Sequence, residues 1–290
     1  CMLCAQHRIN STRGPYMSRH ELCYEILNAH NLGGDCTRTI DVHATPDELA
    51  QLDREGYLVR EGLFTGSALA TLRDAVERLV ESEWEQHRGK ATGKRSWGII
   101  LRHLMDKDPA FLELLKYPPI LSVAQAMMGP LVCLRGLSAR VTFPGAERQE
   151  TPLHQHLRVV SRPIPPWFSA PHSLDALIYL DDLSEATGLV GLVPGSHAWL
   201  DRQPPDTDEP VDGEIELYLK AGSVVLMHSN VWHRGGPTLS ARRRMLILSY
   251  QPTWFRGSPY GVQPEDGLTK KLLENADEET KMLLGVGGYT

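Results

Sequence analysis

Two histidines two positions apart, His154 and His156 in Leu153-His154-Gln155-His156-Leu157, are the residues of this chain best suited to gripping a metal ion. In an extended strand residues i and i+2 project from the same face, so both imidazoles meet one ion once a third ligand arrives from elsewhere. His233, in Asn230-Val231-Trp232-His233-Arg234-Gly235-Gly236, is the candidate for that third place. A lone buried histidine is more often a hydrogen-bonded core residue than a ligand. A same-face pair with a third histidine beside Gly-rich turns shifts that balance. Neutral imidazole suits iron, zinc, copper and nickel, so the spacing leaves the metal open.

The rest of the chain limits what such a site can serve. With 290 residues, 41% hydrophobic and 23% charged, it can bury a sizeable core as an ordinary globular protein. Net charge is −6, and the only run of three basic residues is Arg242-Arg243-Arg244. That argues against a nucleic-acid partner, which needs clustered basic residues. No stretch approaches the roughly 18 consecutive apolar residues of a membrane span, and residues 1–30 lack the apolar core of a secretory signal. A soluble, cytoplasmic protein without a membrane partner is the expectation. Cys1, Cys4, Cys23, Cys36 and Cys133 are too unevenly spaced for a zinc knuckle and read as free thiols of a reducing compartment. The chain opens on Cys, and Met17-Ser18-Arg19-His20 would make a natural start, which leaves residues 1–16 doubtful as fold material.

Residues 1–45 are polar and read as a partly irregular extension, with residues 46–290 as one domain. Pro46-Asp47-Glu48-Leu49 opens an acidic helix start, and Gly56-Tyr57-Leu58-Val59 reads as a short strand. From Ser67 a helix carries Leu69, Leu72, Val76, Leu79 and Val80 on one apolar stripe. Asp108-Pro109 predicts the cap and first turn of a second helix through Leu112 and Leu115, and a third runs from Pro118-Pro119 to Gly129. Beyond Pro130 the apolar period falls to two. Leu137, Ala139, Val141 and Phe143 alternate, and residues 174–180, 189–193, 223–227 and 245–250 are further short apolar runs separated by turns. Residues 268–284 read as a closing helix. Helices first and strands after, with no helix between successive strands, predict a mainly antiparallel β barrel or sandwich flanked by helices.

The order of motifs around the histidines is more specific than the spacing. Leu192-Val193-Pro194-Gly195-Ser196-His197 is followed by Gly222-Ser223-Val224-Val225-Leu226-Met227-His228, by His233, and by an arginine-led final strand. From about Glu48 to Trp254 this order resembles the phytanoyl-CoA dioxygenase family of iron(II)/2-oxoglutarate oxygenases. The resemblance implies a double-stranded β-helix, a jelly-roll barrel, with iron(II) at its mouth. It also implies 2-oxoglutarate and O₂ as cosubstrates and a small organic molecule as substrate. It places His154 as the first metal ligand and His233 as the distal one. The family's arginine, ten or eleven positions beyond the distal histidine, holds the far carboxylate of 2-oxoglutarate as a bidentate pair. Arg243 and Arg244 both qualify. Arg243 keeps the family's spacing to the aromatic that ends the strand, here Tyr250, and alternation lets only one of the two face inward.

His156 departs from the family, which carries aspartate there. Exchanging the anion for imidazole raises the formal charge of the metal site by one unit. Three arrangements stay open at this point. The three histidines hold the metal; or His154 and His233 hold it with water or with a carboxylate such as Glu150 or Asp175, leaving His156 for substrate or proton transfer; or the fold has lost oxygenase chemistry. A halogenating variant is disfavoured, because histidine fills the space a chloride would need. A cupin-like three-histidine dioxygenase that needs no 2-oxoglutarate expects a glutamate soon after the pair, and Leu157-Arg158-Val159-Val160-Ser161 has none. A non-catalytic ligand-binding module is the remaining alternative. His197 reads as a loop anchor with Ser196, His228 as a strand-end group, and Asn230 as a partner for the second nitrogen of a ligating histidine. Arg140 and Arg158 are candidates for carboxylate recognition. The stiff stretch from Arg162 to Phe168 is a candidate lid.

Overall fold

The computed structural model describes residues 10–11, 18–27, 37–87, 98–144, 149–156, 163–164, 172–255 and 267–286. The strands in chain order are β1 (Asn10–Ser11), β2 (Ser18–Glu25), β3 (Thr37–Val42), β4 (Tyr57–Arg60), β5 (Ile99–Leu101), β6 (Val132–Thr142) and β7 (Thr151–His154). They continue with β8 (Leu174–Tyr179), β9 (Val190–Val193), β10 (Ile215–Leu217), β11 (Val224–His228), β12 (Trp232–Gly235) and β13 (Arg243–Pro252). All their pairings are antiparallel. They build a six-stranded sheet β4-β11-β8-β13-β6-β5, a four-stranded sheet β10-β9-β12-β7 and a small sheet β1-β2-β3. The two larger sheets form the jelly roll that the alternating runs predict, with the helices on the outer side of the larger one.

Local chemistry explains where the elements start. Helix α1 (Pro46–Glu55) has a reciprocal cap. Glu48 N–H donates to Thr45 Oγ1 at 3.0 Å, and Thr45 N–H donates to the Glu48 carboxylate at 2.7 Å. Such a cap stabilises a helix by about 1 kcal/mol. Helix α2 (Gly66–His87) lays Leu72, Ala75, Val76, Leu79 and Val80 into the main core. The short helix α3 (Leu104–Lys107) follows β5. The expected helix after Asp108 is a 3₁₀ segment, Pro109–Lys116, whose first turn is held by Ala110 N–H on the Asp108 carboxylate. Helix α4 (Pro118–Met128) then packs beneath the sheet.

One expectation needs correction. The closing helix is two, α5 (Leu268–Glu274) and α6 (Glu278–Leu283). The chain breaks at Asn275 and restarts where Asp277 accepts from Thr280 N–H. Before residue 46 the described residues include a pair of strands. β2 and β3 pair from Glu25↔Thr37 to His20↔Val42, and Ile40, Val42 and Ala44 join the main core. Ile40 and Val42 are the buried positions of β3, and the rest of that strand is exposed. Among the described cysteines, Cys23 is exposed and Cys133 buried, both free thiols. Among the described residues no helix is long and apolar enough to cross a membrane.

Strand parity is the feature that positions the site. On β8, Leu174, Ala176 and Ile178 face the helices in the main core, as do Leu246, Leu248 and Tyr250 on β13. Asp175, Leu177 and Tyr179, with Arg243, Met245, Ile247 and Ser249, turn the other way and line an internal cavity between the two larger sheets.

Candidate active site

The antiparallel register brings His154 and His233 together as direct cross-strand partners on β7 and β12. His156 follows the end of β7 and is fixed by its backbone N–H on the Ser229 carbonyl, 2.8 Å away. The three rings cluster, with centroids 4.2 Å (His154–His233), 4.7 Å (His156–His233) and 5.2 Å (His154–His156) apart. One ring nitrogen from each lies within 4.8 Å of the other two. His154 Nδ1 bonds the Pro152 carbonyl and His233 Nδ1 the Val231 carbonyl, both at 2.8 Å. Those bonds require a proton on Nδ1, so the lone pair of each Nε2 is available for an ion. Burial, and then the neighbouring His154 and His156, hold the His233 imidazole neutral to well below the usual pH range. Neutral nitrogen is the form that ligates. The donor set therefore fits a borderline divalent metal such as iron(II).

His156 uses its Nδ1 differently, on a carboxylate. Asp175 Oδ2, on the opposite sheet, is 2.6 Å away, and the Ser249 hydroxyl donates to the other Asp175 oxygen. Burial alone would raise the Asp175 pKa, but the His156 ring, Arg135 and Ser249 outweigh it and hold the carboxyl well below its ordinary value. Glu150, the other carboxylate considered as a ligand, lines a separate cavity with Glu214 and Arg234.

The cavity holding the three histidines is about 330 Å³ and reaches Arg140, Tyr179 and Arg243. Arg243 is 3% exposed and donates through Nη1 to the Gly188 carbonyl at 2.7 Å. Arg140 donates to Thr151 Oγ1 and, at 3.0 Å, to the Gln149 carbonyl. Burial and then the adjacent Arg243 push the Arg140 pKa down to about 10, and burial lifts Tyr179 to about 12. Two buried guanidiniums lining one pocket are the setting that an entering anion relieves. Space for it exists. A Cβ on Gly235 would sit 3.3 Å from Arg243 Nη2, 3.4 Å from Thr151 Oγ1 and 3.6 Å from Arg140 Nη1, so the absent side chain keeps the gap open. Gly188, at φ +86°, is more tightly restricted, since a Cβ there would come 2.5 Å from the Gly236 carbonyl, 2.7 Å from the Pro237 carbonyl and 2.9 Å from Arg243 Nη1. The residues present fit a dicarboxylate as well as a metal.

Arg244, the alternative cofactor-binding candidate, is not in this pocket. Its guanidinium faces the helix side, with Asp181 Oδ1 at 2.6 Å and Glu77 Oε2 at 3.3 Å. Arg242 also pairs with Glu77. His197 bonds the Asp53 carbonyl at 2.9 Å, and Ser196 Oγ donates to the Val193 carbonyl and accepts from Trp232 N–H, so this turn is an anchor as expected. Asn230 does not support His233 as expected: its side-chain atoms are buried without a hydrogen-bond partner, and the Val231 carbonyl holds Nδ1 instead. Arg158 and most of the candidate lid, including Trp167 and Phe168, lie outside the described residues. Sequence reasoning passed over Tyr179, Gly188 and Gly235 as site residues. The period-two pattern assigns Tyr179 to the same face as Asp175, whereas the two glycines carry no signal beyond being glycine.

A jelly roll whose internal cavity is lined by clustered histidines and buried arginines is a fold of the double-stranded β-helix class. The profile of the Phytanoyl-CoA dioxygenase (PhyH) family matches residues 52–246, and the chain belongs to that family. It is accordingly a dioxygenase of the iron(II)/2-oxoglutarate-dependent kind. An uncharacterized protein of Mycobacterium tuberculosis is 27% identical over 202 residues, covering 66% of this chain and 69% of its own length. A dioxygenase of Aspergillus fumigatus, af480, is 24% identical over 234 residues, 76% of this chain and 72% of its own. Among solved structures, HygX of Streptomyces hygroscopicus with nickel, 2-oxoglutarate and hygromycin B bound superposes with a TM-score of 0.57. It is 19% identical, over 73% of this chain and 89% of that one.

Proposed function

We propose that His154, His156 and His233 hold iron(II), that Arg243 holds the far carboxylate of 2-oxoglutarate, and that the protein oxidises a small organic molecule, a specialised metabolite, in the cytoplasm. The observation that carries this reading is that one cavity is lined both by the three clustered imidazoles and by the Arg243 guanidinium. The bound metal and cosubstrate supply the redox chemistry, in which O₂ oxidises both 2-oxoglutarate, to succinate and CO₂, and the substrate.

The chain's own residues bind, orient and exclude water. Arg243 offers a planar fork to a carboxylate and is itself aimed by the Gly188 carbonyl. Arg140, aimed by Thr151 and the Gln149 carbonyl, adds positive potential beside it. Leu177, Val190, Met245 and Ile247 provide apolar walls that keep the site dry. An enzyme that needed no 2-oxoglutarate would have little use for an arginine pair kept open by Gly235. HygX, with hygromycin B bound, supports a small organic substrate by analogy.

The test is turnover. Purified protein loaded with iron(II) under argon, then given O₂ and 2-oxoglutarate, is expected to release succinate, faster with a true substrate present. No consumption of 2-oxoglutarate by iron-loaded protein across a broad panel of small molecules would contradict the proposal.

A further inference from the structure

His156 stands where the family places an aspartate, and a carboxylate lies directly behind it. Asp175 comes from β8 in the larger sheet, His156 from the end of β7 in the smaller, so their 2.6 Å contact crosses the barrel interior. Asp175 is fully buried. Its second oxygen is taken by Ser249, its register partner on β13. An ionised carboxylate only accepts hydrogen bonds, so His156 Nδ1 carries the proton and Nε2 is the nitrogen left to face His154 and His233.

We propose that Asp175 is a positioning residue that relocates the family's ligand charge to a place behind the imidazole. It fixes His156 with Nε2 toward the metal and supplies from behind the negative charge that an aspartate ligand would supply directly. This rests on the three-histidine ligand set proposed above. A buried carboxylate is costly without a cationic or hydrogen-bonding partner. Arg135, which donates to Ser173 Oγ at 3.1 Å, compensates part of that charge. The rest falls on His156. A divalent ion held by neutral imidazoles alone keeps its whole formal charge; one carboxylate bonded to a ligating ring lowers the charge of the cluster by one unit and raises the basicity of that ring.

The proposal makes a prediction of sign. Four proteins are titrated anaerobically with iron(II) alone by calorimetry: wild type, Asp175→Asn, His156→Asp and the double variant. Asp175→Asn should weaken iron(II) binding about 10- to 100-fold in the wild-type background. In the His156→Asp background, where two carboxylates would face each other, the same change should leave binding equal or tighter. Equal affinity of wild type and Asp175→Asn overturns the proposal. So does a weakening by the same factor in both backgrounds, which would mean that Asp175 supports the fold alone. If Asp175→Asn fails to fold in a thermal melt of the metal-free protein, the His156→Asp pair still decides, since a loss of affinity on adding Asp175→Asn contradicts the reversal. Succinate release by the wild type is measured separately. The sign reversal without turnover removes the oxygenase reading and keeps the role of Asp175, whereas a wild type that binds no iron(II) overturns both.

Discussion

The two faces of strands β8 and β13 share one backbone and serve opposite ends. Toward the helices stand Leu174, Ala176, Ile178, Leu246, Leu248 and Tyr250, a packed apolar wall. Toward the cavity stand Asp175, Tyr179, Arg243 and Ser249, polar groups that a core would reject unless they were hydrogen-bonded or awaiting a ligand. Arg243 and Arg244 show the contrast most sharply. These chain neighbours place one guanidinium in the dry interior on a carbonyl and the other among the carboxylates of Asp181 and Glu77. Parity along a strand therefore separates the residues that hold the fold from those that do chemistry, and substitutions on the two faces should fail in different assays.

The largest effect is expected on the cavity face. His233→Ala removes a ligand rather than its support, so iron(II) affinity should fall by more than the roughly 100-fold limit typical of supporting residues, with the melting temperature of the metal-free protein little changed. Calorimetry and a thermal scan on the same sample check this. Leu246→Ala, three positions from Arg243 but on the helix face, should do the reverse. A fully buried leucine lost from a packed core costs about 2–5 kcal/mol in urea unfolding, while iron(II) affinity of the folded protein stays at the wild-type value. The arginine pair sharpens the comparison. Arg243→Ala should weaken 2-oxoglutarate binding by a factor of about 10–100, the worth of a charge-assisted pair, and so diminish the visible charge-transfer band expected of iron(II) with 2-oxoglutarate at a fixed cosubstrate concentration. Arg244→Ala should leave the band intact and cost about 1–3 kcal/mol of stability, because it leaves the largely buried Asp181 carboxylate without its partner. Loss of the band in Arg244→Ala instead would break the parity argument.

A further effect concerns acid. His228 is buried at the end of β11, and burial, followed by the charges of His197 and His172, holds its pKa down to about 3 against the pull of Asp175. The unfolded chain takes up the proton first, near pH 6.5, so this group's stability contribution is complete above that pH and is lost as pH falls toward 3. The slope is about 1.4 kcal/mol per pH unit. Urea unfolding between pH 6 and pH 4 should be less steeply pH-dependent, by one proton, in His228→Gln. An unchanged slope would mean that His228 does not titrate this way.

Most of the barrel was legible because it depends on local pattern. The apolar runs at 174–180 and 245–250 mark β8 and β13, and alternation at Arg243 and Arg244 requires opposite faces. The same pattern explains what was not legible. A polar stretch with only Ile40, Val42 and Ala44 to bury gives too weak a signal to be read as β3, and an apolar periodicity across 268–284 hides the restart at Asp277. His154 and His233 were legible from type and motif order. The bond between His156 and Asp175 was not, although Asp175 stands out as a lone acid in an apolar run. Which group such an acid meets is decided by how two sheets pack, and that information is long-range.

The central claim is that three imidazoles and Arg243 form one site, and an anaerobic crystal structure with iron(II) and 2-oxoglutarate tests it most directly. The ion should be held by Nε2 of His154, His156 and His233, with the His156–Asp175 bond intact and the far carboxylate of 2-oxoglutarate on Arg243. An ion bound with His156 turned away, or 2-oxoglutarate lying clear of Arg243, would contradict it.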